Sequence, residues 1–356
     1  EMKTMSDTPE EIPDYATNRP LVTFALFSYN QEDYIREAIE GAFAQTYQPL
    51  EIILSDDCSG DRTYEIMKEM AKEYDGPHRV ILNRLDKNIG TIDHVLRVGR
   101  KAEGQLVVVA AGDDISLPCR TMQLADVWAA TNAAVLYSGC LIVDSYGNKI
   151  RIESNSDPIP RIQHIFSGTN CARRYNGIVR NIPGYSAAYT RKFLTSLPES
   201  GLGVLSEDFL ATIMANIQSL NIQAVELPLV MYRSAPNSVS QRNDAKTLLG
   251  IVESEKKLGR YHRLNASFFP YLLKLIRSKP DPTSDLEMVS NRLELLYRQS
   301  TLSWQTHEVG FLGRIALLAR CQSLNEFKIV GSRLMGVHTF AIAKLSILKF
   351  SRRLKH

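Results

Sequence analysis

Long apolar runs, a cysteine framework and a strong charge of one sign are all missing from this sequence. No apolar stretch approaches the ~20 residues needed to span a bilayer, and the longest near the C-terminus, Leu334 to Ala343, is closed by Lys344. The first twenty residues are polar and acidic and have no hydrophobic core of the kind a secretory signal carries. The five cysteines (Cys58, Cys119, Cys140, Cys171 and Cys321) are odd in number, scattered and without a C-x-x-C pair. That pattern reads as free thiols in a reducing compartment and argues against structural zinc. With 42 Lys+Arg against 39 Asp+Glu, the formal net charge of +3 is too small to imply a nucleic-acid partner. A cytoplasmic protein, soluble or peripheral on the inner face of the cytoplasmic membrane, is expected.

What is present is a globular composition, 44% hydrophobic and 23% charged over 356 residues. It suffices for one large domain with an appendage, or for two domains. Residues 1–19 carry Pro9 and Pro13 among charges and predict a flexible N-terminal segment. From residue 21 the pattern alternates. Leu21–Phe27, Glu51–Leu54, Val80–Leu82 and Leu106–Ala110 read as strands, and Tyr34–Gln45, Asp61–Tyr74 and Thr91–Ala102 as helices. Such alternation predicts βαβ units and a mainly parallel sheet flanked by helices, an α/β fold. Further strands are expected at Ala134–Val143, Ser186–Tyr189 and Val225–Tyr232, with helices at Thr121–Thr131, from Arg191, and from Ser206 to about Ser219. Residues 151–185, rich in Asn, Ser, Pro, Gly and Arg, read as a long loop of the kind that carries an acceptor site. Beyond Asp244 only helical periodicity remains, at about 246–260, 266–278, 285–299, 308–321 and 331–350.

Ligands of open parallel sheets bind beyond the carboxyl ends of the strands, and two of those ends carry acid pairs, Asp56-Asp57 and Asp113-Asp114. One such pair reads equally well as a helix cap or an Asx turn. Two on one rim point instead to a cation or a donor-rich ligand that offsets their repulsion.

The ordered motifs from residue 20 to about 240 resemble those of the family 2 glycosyltransferases. They are Val22–Asn30 with Tyr34-Ile35 and Ala38-Ile39; Gln45-Thr46-Tyr47 before Glu51–Thr63; Asn88-Ile89-Gly90 with Gly112-Asp113-Asp114; and Ser206-Glu207-Asp208. The resemblance implies the GT-A fold over residues 20–243, with a C-terminal helical region over 244–356. It implies inverting transfer of a sugar from a nucleoside-diphosphate donor, a UDP-sugar first, to a saccharide or lipid-linked saccharide hydroxyl in bacterial surface polysaccharide synthesis, lipopolysaccharide or capsule included. By the same resemblance Phe27, Tyr29, Asn30, Asp56, Asn88, Gly90, Asp113 and Arg233 would hold the donor nucleotide, Asp56 at the base imide. Asp114 would hold a divalent cation, Mn²⁺ or Mg²⁺, and Asp208 would be the catalytic base with Glu207 second. The sequence departs from the family at Ala235, where many relatives carry His, leaving Arg233, Asn237 or Ser240 near the diphosphate, and at Ala111, where a further acid is usual. The Q-x-x-R-W signature of processive synthases is absent, which favours single additions.

Two other readings stay open: a sugar nucleotidyltransferase, whose usual Gly-rich phosphate loop is missing here, and a catalytically inactive nucleotide-sugar-binding relative. Residues 328–356 combine Lys328, Arg333, Lys344, Lys349, Arg352, Arg353 and Lys355 with apolar positions and no acid. They read either as a helix lying on an anionic membrane surface, each cation contributing ~1 kcal/mol, or as one packed on the domain.

Overall fold

The computed structural model describes residues 19–153, 182–198, 207–234, 248–278 and 284–332. The expectations for the N-terminal segment, the long loop up to Asn181, Asn237, Ser240 and the tail beyond Ser332 lie outside the described residues.

The four apolar runs of the N-terminal half form β1 (Val22–Ser28), β2 (Leu50–Asp56), β3 (Arg79–Arg84) and β4 (Leu106–Ala111). Between them lie α1 (Ile35–Phe43), α2 (Thr63–Glu73) and α3 (Thr91–Lys101). All four strands pair in parallel, in the order β3-β2-β1-β4. The chain therefore moves outward from β1 to β3 and then returns to the other side of β1. That reversal leaves a crevice at the carboxyl ends of β1 and β4, the place where such sheets bind ligands.

Side chains alternate across these strands and so feed two separate cores. Phe24, Leu26, Ile52, Leu54, Leu106 and Val108 pack on one face with α1, α2 and the helix α4 (Arg120–Thr131). Ala25, Phe27, Ile53, Val107 and Val109 pack on the other with α3. Glu51, buried within β2, accepts hydrogen bonds from the Thr23 hydroxyl (2.7 Å) and the Glu103 N–H (3.0 Å) and pairs with Arg79, so its charge is not left uncompensated.

The second half of the sheet is mixed. It is built from β5 (Ile115–Ser116), β6 (Val135–Val143), β7 (Lys149–Glu153), β8 (Ala187–Thr190) and β9 (Ile222–Arg233). Strand β8 runs antiparallel between β4 and β6, β9 lies parallel to β6, and β5 and β7 add antiparallel edges. Neither β5 nor β7 was expected. Two residues carry no periodicity, and β7 follows a tight turn in which the Asp144 carboxylate accepts the N–H groups of Tyr146 and Asn148.

Helices α5 (Arg191–Ser196) and α6 (Glu207–Ile217) follow β8. The C-terminal region holds α7 (Leu248–Arg277), α8 (Ser284–Glu308), α9 (Phe311–Leu318) and α10 (Leu324–Gly331). The helices expected at 246–260 and 266–278 are one, continuous through Pro270. An interior proline costs a helix about 3 kcal/mol, and here its neighbours Phe268 and Phe269 are buried against the sheet-facing core together with Leu272, Leu273 and Ile276. The helical region therefore shares a core with the sheet. Phe268→Ala should destabilise the whole fold by about 3–5 kcal/mol, read as a shift of a single denaturant transition monitored on both the sheet and the helices. A variant that melts only the helical signal would contradict a shared core.

Candidate functional site at the carboxyl rim of the sheet

The loop after β1 and the loop after β2 are laced together. Asn30, with a positive φ of 52°, donates its N–H to the Ser59 hydroxyl (2.9 Å), and its side-chain oxygen accepts the Gly60 N–H (2.8 Å). Gln31 N–H reaches the Thr63 hydroxyl at 2.8 Å. Tyr29 is left exposed at the rim, while Phe27 is buried with its ring edge-on to His94 at 5.0 Å. Burial pushes His94 down to about 4, against the opposing pull of Asp57 and Asp56, so its ring is neutral. Its Nε2 lies 2.6 Å from the Ser55 hydroxyl.

Asp56 is fully buried. Its oxygens take the Ser59 N–H (3.0 Å) and the Ser59 hydroxyl, and Arg84 Nε stands 3.4 Å away. This differs from the expectation of a carboxylate open to a nucleotide base. A buried charge needs compensation, and Asp56 obtains it from its own loop. Asp57, which the sequence reading named in the acid pair without giving it a role of its own, has a clear structural task. Its two oxygens accept the N–H groups of Ile89 and Gly90, each at 2.9 Å. Asn88 Oδ1 also accepts the Gly90 N–H (3.0 Å), and Gly90 has a φ of 82°, a region glycine enters without strain. Asp57 thus fixes the turn that carries Asn88 and Gly90. The signal was its place as the second acid of the pair.

On the other side of β1, Gly112 donates its N–H to Phe27 O (2.8 Å). A side chain at Gly112 would come within 2.5 Å of Gln31 Oε1 and 3.0 Å of Ser28 Cβ, so it would displace the Gln31 side chain that bonds Asp113. Asp113 follows, hydrogen-bonded to the Gln31 side chain, its carboxyl raised by burial. Asp114 is buried. Its Oδ1 accepts the Arg233 N–H at 2.8 Å, and its Oδ2 has no hydrogen-bond partner. Burial first and Asp113 second hold its carboxyl well above the usual range, opposed by the Arg233 N–H and by the charges of Arg120 and Arg233. Arg120, fully buried at the start of α4, donates to the Ser116 hydroxyl (2.8 Å) and Val109 O (2.7 Å) and so ties β4 to β5. Nothing in the local sequence marked it.

Arg233 was expected at a diphosphate. The structure buries it to 2% side-chain exposure, and its guanidinium donates to Asp113 O (3.1 Å), Ser145 O (2.9 Å) and Glu37 Oε2 (2.9 Å) over the ring of Tyr34. It is a clamp that holds the end of β9, α1 and the acid pair together, and each of its three nitrogens already has a protein acceptor.

Glu207 and Asp208 occupy the first turn of α6, where acids interact favourably with the helix dipole. Glu207 is buried and Asp208 is partly exposed. The short turn Gly184–Ser186 packs on β4, and a side chain at Gly184 would lie 2.5 Å from Glu207 Oε1. This places the third acid pair next to the β4 side of the rim. The hydroxyl of Tyr189, on β8, is buried nearby with no hydrogen-bond partner, its phenol raised by burial and by the charges of Glu207 and Asp208. Burial, with the Asp208 charge adding, pushes Glu207 up to about 8, so at neutral pH it holds its proton.

The sequence profile described as "Glycosyl transferase family 2" matches residues 23–197, from β1 through α5. These residues are a family 2 glycosyltransferase domain. The match ends before Glu207 and Asp208. EpsE of Bacillus subtilis, a putative glycosyltransferase, is 32% identical to this chain over 130 residues, 36% of the chain and 46% of EpsE. The succinoglycan biosynthesis protein ExoO of Rhizobium meliloti is 30% identical over 138 residues, 39% of the chain and 38% of ExoO. The chain thus spans less than half the length of these relatives. A mannosyltransferase from Pyrobaculum calidifontis, solved in complex with GDP-Man and Mn²⁺, aligns over 95% of the chain and 90% of its own length with a TM-score of 0.50 at 16% identity. That likeness concerns the fold and agrees with a GT-A-like sheet carrying C-terminal helices.

Glu207 makes stability depend on pH with a definite sign. Unfolded, it ionises near its ordinary value of 4.5; folded, it keeps its proton to about 8. The folded state therefore binds the extra proton, and stability falls as pH rises through that window. Glu207→Gln removes the titration. The unfolding temperature of the variant minus that of the wild type should rise by a few degrees between pH 4.5 and pH 8. A gap that stays constant across this range would contradict a protonated Glu207.

Proposed function

We propose that the chain is a metal-dependent inverting glycosyltransferase. In this reading it moves a hexosyl unit from a nucleoside-diphosphate sugar, a UDP-sugar first, to a hydroxyl of a saccharide or lipid-linked saccharide in bacterial surface polysaccharide synthesis. The observation that carries the reading is the placement of three acid pairs, Asp56-Asp57, Asp113-Asp114 and Glu207-Asp208, around the β1–β4 crevice of a family 2 domain. The name of ExoO supports a role in polysaccharide assembly, and the ligands of the Pyrobaculum enzyme support the donor class and the cation.

The residues present fit a divalent cation in one respect: Asp114 Oδ2 is a buried carboxylate oxygen without a hydrogen-bond donor. No cluster of three acidic, His or Cys groups stands ready for a metal among the described residues. That suits Mg²⁺ or Mn²⁺, which take one or two carboxylates and complete their shell with substrate phosphates and water. When bound, such an ion stabilises the charge that grows on the departing diphosphate. Asp114 would hold it, with Asp113 at the donor's ribose and diphosphate, and Arg233 keeps both acids in place through its bonds to Asp114 Oδ1 and Asp113 O. Phe27, Tyr29, Asn30, Asn88 and Gly90 would form the walls of the nucleotide subsite, ordered by Asp57. Asp56 would accept a hydrogen bond from the base imide N–H in exchange for that of the Ser59 hydroxyl.

The acceptor hydroxyl needs a base on the face of the sugar opposite the departing diphosphate. Asp208 takes that role, being partly exposed. Glu207 beside it carries a proton and so adds no second charge at the acceptor. Two variants separate binding from turnover. Asp114→Asn should abolish metal-dependent donor binding by titration calorimetry, and unchanged affinity would remove Asp114 from the metal. Asp208→Asn should keep donor affinity and lower transfer by about two to four orders of magnitude. A near-normal rate would remove it as the base.

A further inference from the structure

Helix α9 is apolar on both of its faces. Leu317 points inward and packs with Leu302 of α8 and Val330 of α10. Phe311, Leu312 and Ile315 lie on the opposite arc of the helix and are exposed, Leu312 to 78%. In the next helix Leu324, exposed to 69%, and Phe327 also face solvent. Five of the eleven large hydrophobic side chains exposed among the described residues thus fall within Phe311–Phe327. A helix that is hydrophobic all round is ordinarily covered, and contiguous exposed apolar surface marks an interaction site.

The charges around this surface name the covering material. Between Val309 and Ser332 the sole acid is Glu326, which is buried and paired with Arg298 at 3.0 Å. Arg320 and Lys328 are exposed beside the apolar side chains. Residues 333–356 add Arg333, Lys344, Lys349, Arg352, Arg353 and Lys355 without a single acid. We propose that the exposed face of α9 and α10 lies on the anionic surface of a lipid bilayer, with Phe311, Leu312, Ile315, Leu324 and Phe327 entering the headgroup boundary and Arg320 and Lys328 meeting lipid phosphates. No helix among the described residues is long and apolar enough to cross a membrane, so the contact is with one leaflet. It does not depend on the proposed transfer reaction.

Sedimentation of the full chain with vesicles tests this directly. The wild type should sediment with mixed phosphatidylcholine–phosphatidylglycerol vesicles, less so at high salt, and weakly with phosphatidylcholine alone. The double variant Leu312→Glu, Phe327→Glu should lose roughly tenfold or more of that partitioning, with its circular dichroism and its elution volume unchanged. Should it fail to fold, Leu312→Ser with Phe327→Ser replaces it and the same loss is expected. Vesicle binding equal to wild type in the folded variant would overturn the proposal and assign binding, if any, to the tail. So would a wild type that ignores vesicles and self-associates through this face, shown by a variant that elutes as a smaller species.

Discussion

A carboxylate taken out of water must be compensated, and the functional rim of this protein is organised by that requirement. Asp56, Asp57 and Asp114 are all buried at the ends of parallel strands, where isolated charges would each cost several kcal/mol. Asp56 is compensated by Ser59 and Arg84, and Asp57 by the N–H groups of Ile89 and Gly90. Asp114 has the Arg233 N–H on one oxygen and none on the other. The first two arrangements fix the loops at the carboxyl rim of the sheet, and the third leaves one carboxylate oxygen without a donor. Local geometry and chemistry thus come from the same constraint.

The clamp at Arg233 carries this constraint across the fold. It joins α1 through Glu37, the β6–β7 turn through Ser145 and the acid pair through Asp113. Arg120 does the same from below, linking β4 with β5. Both guanidiniums sit where β4 meets the mixed half of the sheet, which keeps Asp113 and Asp114 rigid relative to β1. Under the proposed function, a preorganised acid pair of this kind would lose little entropy on binding a cation and a diphosphate.

Much of this was legible in the sequence. The runs Leu21–Phe27 and Leu106–Ala110 announced buried parallel strands, and the acid pairs after β2 and β4 announced the rim. The particular duties of the acids were not legible. Whether Asp56 faces a ligand or its own loop depends on Ser59 and Arg84, and the second of these lies 28 positions away on β3. Arg233 reads as a free cation beside Tyr232 until β9 is placed between β6 and β5, where its guanidinium meets Asp113 O and Glu37. Arg120 is indistinguishable in the sequence from a solvated helix residue, because its burial is set by β5 and β8. The gap expected between 260 and 266 is absent, because Leu248–Arg277 is one continuous helix. For Asp56, Arg233 and Arg120 a deciding partner (Arg84, Glu37 and Ala187) is distant in sequence, so no local pattern records it.

The account stands on the β1–β4 crevice being a donor site whose acids work through a divalent ion. The measurement that tests it most directly is release of nucleoside diphosphate by the purified chain from a panel of nucleotide sugars, with Mn²⁺, with Mg²⁺ and with chelator. The account predicts slow release from one donor class, a uridine-based sugar first, that requires the ion and stops on chelation. Release of pyrophosphate from a nucleoside triphosphate and a sugar phosphate, or no binding of any nucleotide sugar with either ion, would contradict it.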